Sequence, residues 1–264
     1  MTQFAAPRKS LGQNFLQDPN IINKIVAALS VGAEDVVLEI GPGRGALTER
    51  LLDLTKDLHL VEFDRDLVEY WQTRQESFSG LVVHGADILR FDLSQITQII
   101  DAPLKIIGNL PYNISSPVLF HLMKYADDVD CQVVMLQKEV VQRMSASPGG
   151  KDYGRLSVML QQRYDIEYLF TVPPGAFFPP PKVESAIARL TPLTKINHPV
   201  EDNIVFEKVV KQAFSQRRKT LRNTLKGILS ADQIESLSIN PTARAETLSV
   251  KDFVALANLA AKDV

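Results

Sequence analysis

The stretch Val36-Val-Leu-Glu-Ile-Gly-Pro-Gly-Arg-Gly45 runs from an apolar segment straight into three glycines at alternating positions. A short apolar run bounded by a turn is typical of a buried strand, and a glycine-rich turn after such a strand opens a helix in nucleotide-binding folds. Glycine suits this turn because the backbone bends tightly and approaches a ligand without a Cβ. The stretch therefore predicts a ligand site at the carboxyl end of the strand. The alternative is a tight turn that binds nothing.

Apolar runs of this kind alternate with helical patterns through the first two-thirds of the chain. Such alternation predicts an α/β fold with a mostly parallel sheet of seven strands. One helix begins at Asp18, which can cap it, with Pro19 in its first turn; others are expected after the glycine turn, through Leu47 and Leu51, and near Ser115. The candidate strands are Val36–Ile40, His59–Phe63, Leu81–His84, Leu104–Gly108, Gln132–Leu136, Tyr168–Val172 and Ser185–Leu190.

The stretch Thr191–Asn203 holds two prolines and no clear periodicity, so it predicts a linker. Beyond it the patterns are helical. The predicted organisation is a larger domain over residues 1–192, a linker over 193–203 and a small all-helical domain over 204–264. The expected helices are Ile204–Phe214, Leu221–Leu229, Ala231–Ile234 and Val250–Ala261.

Composition narrows the function classes. The 264 residues include 29 Lys and Arg and 31 Asp and Glu, which gives a net charge of −2. This charge excludes binding of nucleic acid through overall charge, but it does not exclude a local basic patch. Cys131 is the single cysteine, and the four histidines are scattered, so we expect no disulfide and no metal site. The start lacks a signal-type apolar region and the chain has no long uncharged apolar run. A cytoplasmic protein without membrane contact is expected.

Three acids follow three successive predicted strands: Glu39, Glu62 and Asp87. The carboxyl ends of parallel strands form the edge at which doubly wound sheets bind ligands. Glu39 lies beside the glycine turn, where an acid repels a pyrophosphate but attracts an ammonium group. Glu62 has the spacing of an acid that binds ribose hydroxyls. Asp87 can accept the amino protons of adenine. This set favours S-adenosylmethionine (SAM). A dinucleotide is the weaker alternative, since Ala46 occupies the third glycine position of its fingerprint.

The fourth strand ends in Asn109-Leu-Pro-Tyr112. This tetrad suits methyl transfer to the exocyclic amine of a planar base. The side-chain carbonyl of Asn109 and the backbone carbonyl of Leu110 can accept the two amine protons, Pro111 fixes the turn, and Tyr112 offers a face for stacking. Positioning and electrostatics then suffice, without a strong general base. The alternative interpretation is an ordinary Asn-Pro turn.

Two further segments point to a nucleic acid. Phe177 and Phe178 precede three prolines and Lys182, in a stiff loop that can present an aromatic face to an extruded base, or that simply places two phenylalanines in the core. The segment 208–226 has seven cations and no acid, which favours an RNA or DNA contact over a solvated helix face. Arg8, Lys9, Arg155 and Arg163 are possible extensions. The seven cations are Lys208, Lys211, Arg217, Arg218, Lys219, Arg222 and Lys226.

Taken together, these motifs resemble those of the ribosomal RNA adenine-N6,N6-dimethyltransferases along nearly the whole chain, and most closely the bacterial small-subunit branch. The resemblance rests on four motifs: Lys9-Ser-Leu-Gly-Gln-Asn-Phe-Leu16, Glu39-Ile-Gly-Pro-Gly-Arg-Gly45, Asn109-Leu-Pro-Tyr112 and Phe177-Phe-Pro-Pro-Pro-Lys-Val-Glu-Ser185. The last has Glu184 where many relatives have Asp, a change that keeps the charge.

The resemblance implies a seven-stranded SAM-dependent methyltransferase (Rossmann-like) fold with an antiparallel last strand and a helical carboxy-terminal domain. It implies dimethylation of two adjacent adenines in the 3′-terminal hairpin of 16S rRNA, within an immature 30S subunit. We expect a monomer, because a substrate the size of a ribosomal particle leaves no evident need for self-association. Phe177 is implied to stack on the target base together with Tyr112. The cofactor contacts it implies are Asn14, Leu16, Gly41, Glu62, Asp87 and Asn109.

Three rival functions remain. A 23S rRNA adenine methyltransferase of the macrolide-resistance type shares the fold, but Leu110, the Lys9-Ser-Leu-Gly12 lead-in and the long carboxy-terminal domain favour the small-subunit branch. A non-catalytic assembly factor would be expected to have lost Asn109 or the glycine turn, and both are present. A nicotinamide oxidoreductase would need a hydride-transfer site.

Overall fold

A computed structural model describes residues 7–8, 12–100, 102–196 and 198–262. All seven predicted strands are confirmed, with bounds that differ by a few residues, and two short strands are added. The strands are β1 (Phe15–Leu16), β2 (Val36–Ile40), β3 (Asp57–Glu62), β4 (Leu81–Gly85), β5 (Leu104–Asn109), β6 (Val129–Gln137), β7 (Tyr164–Val172), β8 (Phe177–Phe178) and β9 (Ser185–Pro192).

The central sheet has the strand order β4-β3-β2-β5-β6-β9-β7, while β1 and β8 form a separate antiparallel pair. The pairs from β4 through to β6 are parallel, so the carboxyl ends of β2, β3, β4 and β5 meet at one edge. The last strand, β9, is antiparallel to β6, as the resemblance implied. This is the Rossmann-like methyltransferase fold that the family resemblance implies.

The helices follow from caps and apolar spacing. Asp18 caps the first helix through the amides of Asn20 and Ile21, and the face that carries Ile25 and Leu29 is buried. Strand β2 is buried at all five positions, which explains its continuous apolar sequence. The helices are α1 (Pro19–Leu29), α2 (Thr48–Leu51), α3 (Arg65–Gln75), α4 (Ser94–Thr97), α5 (Ser115–Leu122), α6 (Lys138–Met144), α7 (Arg155–Gln161), α8 (Asn203–Ala213), α9 (Leu221–Thr224), α10 (Ala231–Ser236) and α11 (Val250–Ala261).

Two predicted helices are shorter than expected. The helix after the glycine turn begins only at Thr48, because Gly41, Gly43 and Gly45 have positive φ angles that a right-handed helix excludes. The helix expected over Leu221–Leu229 ends at Thr224, three residues before Gly227 with its φ of 87°. The sequence patterns did not predict α3, α4, α6 or α7.

The chain divides into two compact units. The first runs to Val141 and includes Ile166–Pro192; the second comprises Gln142–Asp165 and Leu193–Val264. The units divide after Pro192, and residues 142–165 group with the carboxy-terminal helices. The division into a domain over residues 1–192, a linker and a helical domain over 204–264 stays a prediction. Within the second unit Phe214 stacks on Phe253 with ring centroids 5.4 Å apart. In the described residues, no helix is long and apolar enough to cross a membrane.

Candidate active site

A cavity of about 370 Å³ lies at the carboxyl ends of β2, β3, β4 and β5, wholly within the first unit. The structure brings all the predicted cofactor contacts together around it. They are Asn14, Leu16, Gly41, Glu62, Asp87 and Asn109, and Leu110, Pro111 and Tyr112 of the tetrad line the same space. Residues at four strand ends and residues next to β1 therefore meet around one cavity. Asn14 and Tyr112, for example, are 98 positions apart in the sequence.

The glycine turn is shaped by positive φ angles and by an aromatic neighbour. Gly41, Gly43 and Gly45 have φ of 68°, 54° and 89°. A Cβ on Gly43 would stand 3.1 Å from the ring of Phe15, and one on Gly45 would stand 2.7 Å from the ring of Trp71. The indole Nε1 of Trp71 donates to the Gly43 carbonyl at 3.0 Å. Positions 43 and 45 therefore have no room for a side chain, and the glycines let the backbone of the turn approach the cavity closely.

Glu39 is buried, with 2% of its surface exposed, and lines the cavity. Its carboxyl accepts a hydrogen bond of 2.7 Å from the Thr48 hydroxyl. Burial, with a smaller contribution from the nearby Glu62, raises the pKa of Glu39 to about 8. At neutral pH the side chain is therefore mostly protonated, and it gains its charge most readily when a cation arrives next to it.

Glu62 is held in a fixed orientation by backbone amides. One carboxylate oxygen accepts from the amides of Phe63 and Asp64 at 2.8 and 2.9 Å, and the other accepts from Gly43 at 3.2 Å. Burial raises the pKa of Glu62, although these amides oppose the shift. Just after the next strand, β4, Asp87 accepts from the amide of Leu89 at 3.0 Å, and Ile88 also lines the cavity.

The tetrad follows β5 and is anchored on both sides. The Asn109 side-chain amide donates to the Asn14 carbonyl at 3.0 Å, and the Leu110 amide donates to the Met135 carbonyl at 3.1 Å. The Tyr112 hydroxyl lies 2.5 Å from the hydroxyl of Ser185, and burial raises the pKa of this tyrosine. Ser185 ends the phenylalanine-proline motif, so two motifs that are 73 positions apart meet through one hydrogen bond.

The two phenylalanines of that motif have different environments. Phe177 is 4% exposed, packs in the core with Leu16 and Ile22, and is not among the residues around the cavity. Phe178 is 51% exposed. The alternation of side chains along β8 explains the difference, because neighbouring residues of a strand point to opposite faces. The structure thus brings Tyr112 to the cavity but places Phe177 in the core.

Several lining residues escaped the motif-based interpretation. Asn14 and Leu16 came only from the family resemblance, and Gln13 and Phe63 were not predicted at all. Phe63 is 62% exposed and lines the cavity. The sequence pattern that could have predicted it is an apolar residue directly after the strand-end acid Glu62. The motif residues Lys9, Ser10 and Leu11 lie outside the described part of the chain.

The basic segment, residues 208–226, belongs to the second unit and carries its cations on the outside. All seven are exposed. Arg217 lies 3.3 Å from the carboxylate of Glu246 and also donates to the Lys151 carbonyl. Two of the suggested extensions are engaged by carboxylates: Arg155 by Glu207, and Arg8 by Asp64 and Asp66.

The sequence model of a family described as ribosomal RNA adenine dimethylase matches residues 5–262. The chain belongs to the ribosomal RNA adenine dimethylase family. Relatives named ribosomal RNA small subunit methyltransferase A support this membership over their full length. The one from Chromobacterium violaceum is 51% identical over 96% of this chain and 95% of its own, and the one from Pseudomonas aeruginosa is 48% identical over 95% and 93%.

Two solved structures have a similar fold over nearly the whole chain. A dimethyladenosine transferase from Plasmodium falciparum superimposes with a TM-score of 0.79 and 27% identity, covering 92% of this chain and 95% of that one. The 23S rRNA methyltransferase ErmE has a TM-score of 0.70 and 23% identity, covering 93% and 99%, and shows the likeness of fold alone.

Proposed function

We propose that this protein is a SAM-dependent methyltransferase that modifies adenine N6 in the RNA of the small ribosomal subunit. In its finer form the proposal is dimethylation of two adjacent adenines in the 3′-terminal hairpin of 16S rRNA, within the immature 30S subunit. The observation that carries it is the single cavity into which the glycine turn, the strand-end acids and the Asn109-Leu-Pro-Tyr112 tetrad all converge. Family membership and the names of the full-length relatives support the choice of substrate.

The cavity fits SAM better than a phosphate-bearing nucleotide. Glu39 and Glu62 are buried acids at its wall: Glu39 becomes charged most readily beside a cation, which suits an ammonium group and not a pyrophosphate, and Glu62 suits a pair of ribose hydroxyls. Phe63 and Ile88 supply apolar faces for an adenine ring, beside Asp87 as an acceptor for its amino group. When bound, SAM supplies an activated methyl group on a sulfonium.

The tetrad is proposed to orient the target amine. The Oδ1 atom of Asn109 and the carbonyl of Leu110 accept the two N6 protons, which directs the nitrogen lone pair toward the donor side of the cavity. Tyr112 stacks on the base, an interaction worth roughly 1–3 kcal/mol. N6 would form the new bond to the methyl carbon as that carbon's bond to the donor sulfur breaks, with its electron pair going to sulfur, and would then lose a proton to water. The reaction therefore needs positioning and electrostatics from the protein.

The second methylation sets a further condition on the tetrad. After one transfer N6 carries a single proton, so Asn109 and Leu110 can no longer both receive one. We propose that the monomethylated base turns to keep one of these contacts. Phe177 remains our proposed second stacking residue, and it would have to leave its core position for that role; Phe178 is the ring of the pair that is exposed in the structure.

The basic segment is proposed to bind the phosphate backbone of the rRNA. Exposed cations without acids among them form the pattern that phosphate contacts need. Replacing Arg218 and Arg222 by alanine should weaken rRNA binding and reduce the slope of log K against log salt by about one per lost phosphate contact. The exposed Lys56, in the first unit, provides the control: its replacement should leave the slope unchanged.

The deciding experiment is transfer of labelled methyl from SAM to small subunits from a strain that lacks the modification, with the product mapped to individual bases. Label on dimethyladenine in the 3′-terminal hairpin supports the full proposal. Label on 23S rRNA instead would favour the macrolide-resistance type, and SAM binding without labelling of either RNA would favour a non-catalytic assembly factor. Binding of NADH instead of SAM would refute the assignment of the cavity.

A further inference from the structure

A short amino-terminal strap, which we define as Arg8 together with residues 12–16, borders the cavity and is tied to it at several points. Its Asn14 carbonyl accepts from the side-chain amide of Asn109 at 3.0 Å. Its end forms β1, in which Phe15 pairs with Phe178 and Leu16 with Phe177. The strap thus touches the proposed catalytic tetrad and the phenylalanine-proline motif.

The contact with Asn14 settles which way the amide of Asn109 points. A backbone carbonyl only accepts hydrogen bonds, so it selects the NH₂ group of Asn109 and leaves the Oδ1 atom for another partner. The proposed chemistry needs an acceptor at this position, because N6 of adenine donates its protons. An amide turned by 180° would present donors to the target amine and would repel it.

The position of Asn14 depends in turn on a buried carboxylate outside the tetrad. Asp64 is 5% exposed, and its two oxygens receive Arg8 at 2.8 Å and Gln13 at 2.8 Å. Arg8 also reaches Asp66 at 2.6 Å, and its own backbone amide donates to the Gln13 side chain at 2.7 Å. Two of these hydrogen bonds hold the side chain of Gln13, the residue immediately before Asn14, and the other two hold Arg8 against Asp64 and Asp66.

We propose that Arg8 is a positioning residue for methyl transfer: through Asp64 and Gln13 it holds the Asn14 carbonyl where it orients the amide of Asn109. This inference rests on the proposed function. Charge-assisted hydrogen bonds are the stronger ones, and here they meet a carboxylate that is nearly excluded from water. Asp64 also contacts the cavity acid Glu62, whose carboxylate accepts from the Asp64 amide at 2.9 Å.

The test compares Arg8→Met with Arg65→Met. The second variant removes an exposed cation that follows Asp64 in the chain but makes none of the hydrogen bonds of Arg8. With small subunits that lack the modification as substrate, Arg8→Met should lower kcat about fivefold, the scale expected for losing a part-buried ion pair, with the KM for the subunit and the melting temperature nearly unchanged. Arg8→Lys should recover part of the loss, and Arg65→Met should behave as wild type.

An NMR measurement on the free protein tests the amide directly. The side-chain NH₂ resonances of Asn109, assigned by their loss in Asn109→Ala, should move toward solvent-exposed values in Arg8→Met but not in Arg65→Met. Unchanged resonances and an unchanged kcat in Arg8→Met would overturn the inference, and so would a loss of kcat with the resonances unmoved. If the wild-type protein fails to methylate the rRNA, the proposed function fails, while the NMR comparison still tests the strap.

Discussion

Glu39 offers a quantitative test of the cavity, because its pKa of about 8 in the folded protein stands far above its ordinary value of 4.5. A carboxyl whose folded pKa is raised binds its proton more tightly in the folded state than in the unfolded state. The stability of the protein therefore falls as pH rises from about 4.5 toward 8. Well below the folded pKa each pH unit costs about 1.4 kcal/mol, and the cost per unit falls to half of this at the pKa itself, so the loss between pH 6 and pH 8 is about 2 kcal/mol.

The variant Glu39→Gln keeps an acceptor for the Thr48 hydroxyl but has no proton to lose. Its stability relative to wild type should increase by about 2 kcal/mol between pH 6 and pH 8, because only the wild-type protein pays for ionising a buried group. Urea unfolding followed by the fluorescence of Trp71, the single tryptophan and a fully buried residue, measures the difference. The matched control is Glu34→Gln at an exposed glutamate, for which the difference should stay constant.

The same variant tests the proposed cofactor role of Glu39. Hydrogen bonds to charged groups exceed neutral ones by about 1 kcal/mol, so at pH 8 Glu39→Gln should bind SAM about fivefold more weakly than wild type. At pH 6, where the wild-type carboxyl is protonated, the two should bind almost equally. A stability difference between Glu39→Gln and wild type that does not change between pH 6 and pH 8 would show that Glu39 titrates normally and would refute the reasoning.

Three other variants probe separate features. Gly45→Ala should destabilise the protein by about 1–3 kcal/mol in urea unfolding, because its φ is positive and its Cβ would clash, whereas Gly175→Ala, with open space around it, should change stability by less than about 0.5 kcal/mol. Asn109→Ala should abolish methyl transfer while SAM still binds; full turnover would exclude its proposed role. Burial lowers the pKa of His59 and of its stacked neighbour His84. The folded protein therefore binds protons at these histidines less readily than the unfolded chain does, and the free energy of unfolding decreases as pH falls below 6.5. His84→Gln should reduce that loss between pH 6.5 and pH 5, and an identical pH profile would contradict the assignment.

The strands were predictable because their apolar runs stand out against turns, and helix α3 was not because only two of its residues, Leu67 and Trp71, are buried. A helix with so narrow an apolar face leaves little periodicity in the sequence. The shortened α2 has a different cause, since the same glycines that announce the site also prevent the helix from starting among them.

For the candidate site, acids at the ends of successive strands could be placed at one edge because parallel strands share that edge. The roles of these acids stay predictions. No local pattern encodes contacts such as those of Gln13 with Asp64 or Asn14 with Asn109, which join residues 51 and 95 positions apart. Likewise, the two-residue strand β8 is too short for a period that would tell which of its phenylalanines faces outward.

The position of β9 has a consequence for synthesis of the chain. This strand is the last of the sheet to leave the ribosome, yet it lies between β6 and β7 instead of at an edge. A nascent chain that ends before Ser185 therefore has β6 as an open strand edge and β7 without the strand that joins it to the sheet. Open strand edges promote aggregation, so a chain that ends before Ser185 should aggregate more readily than the full chain.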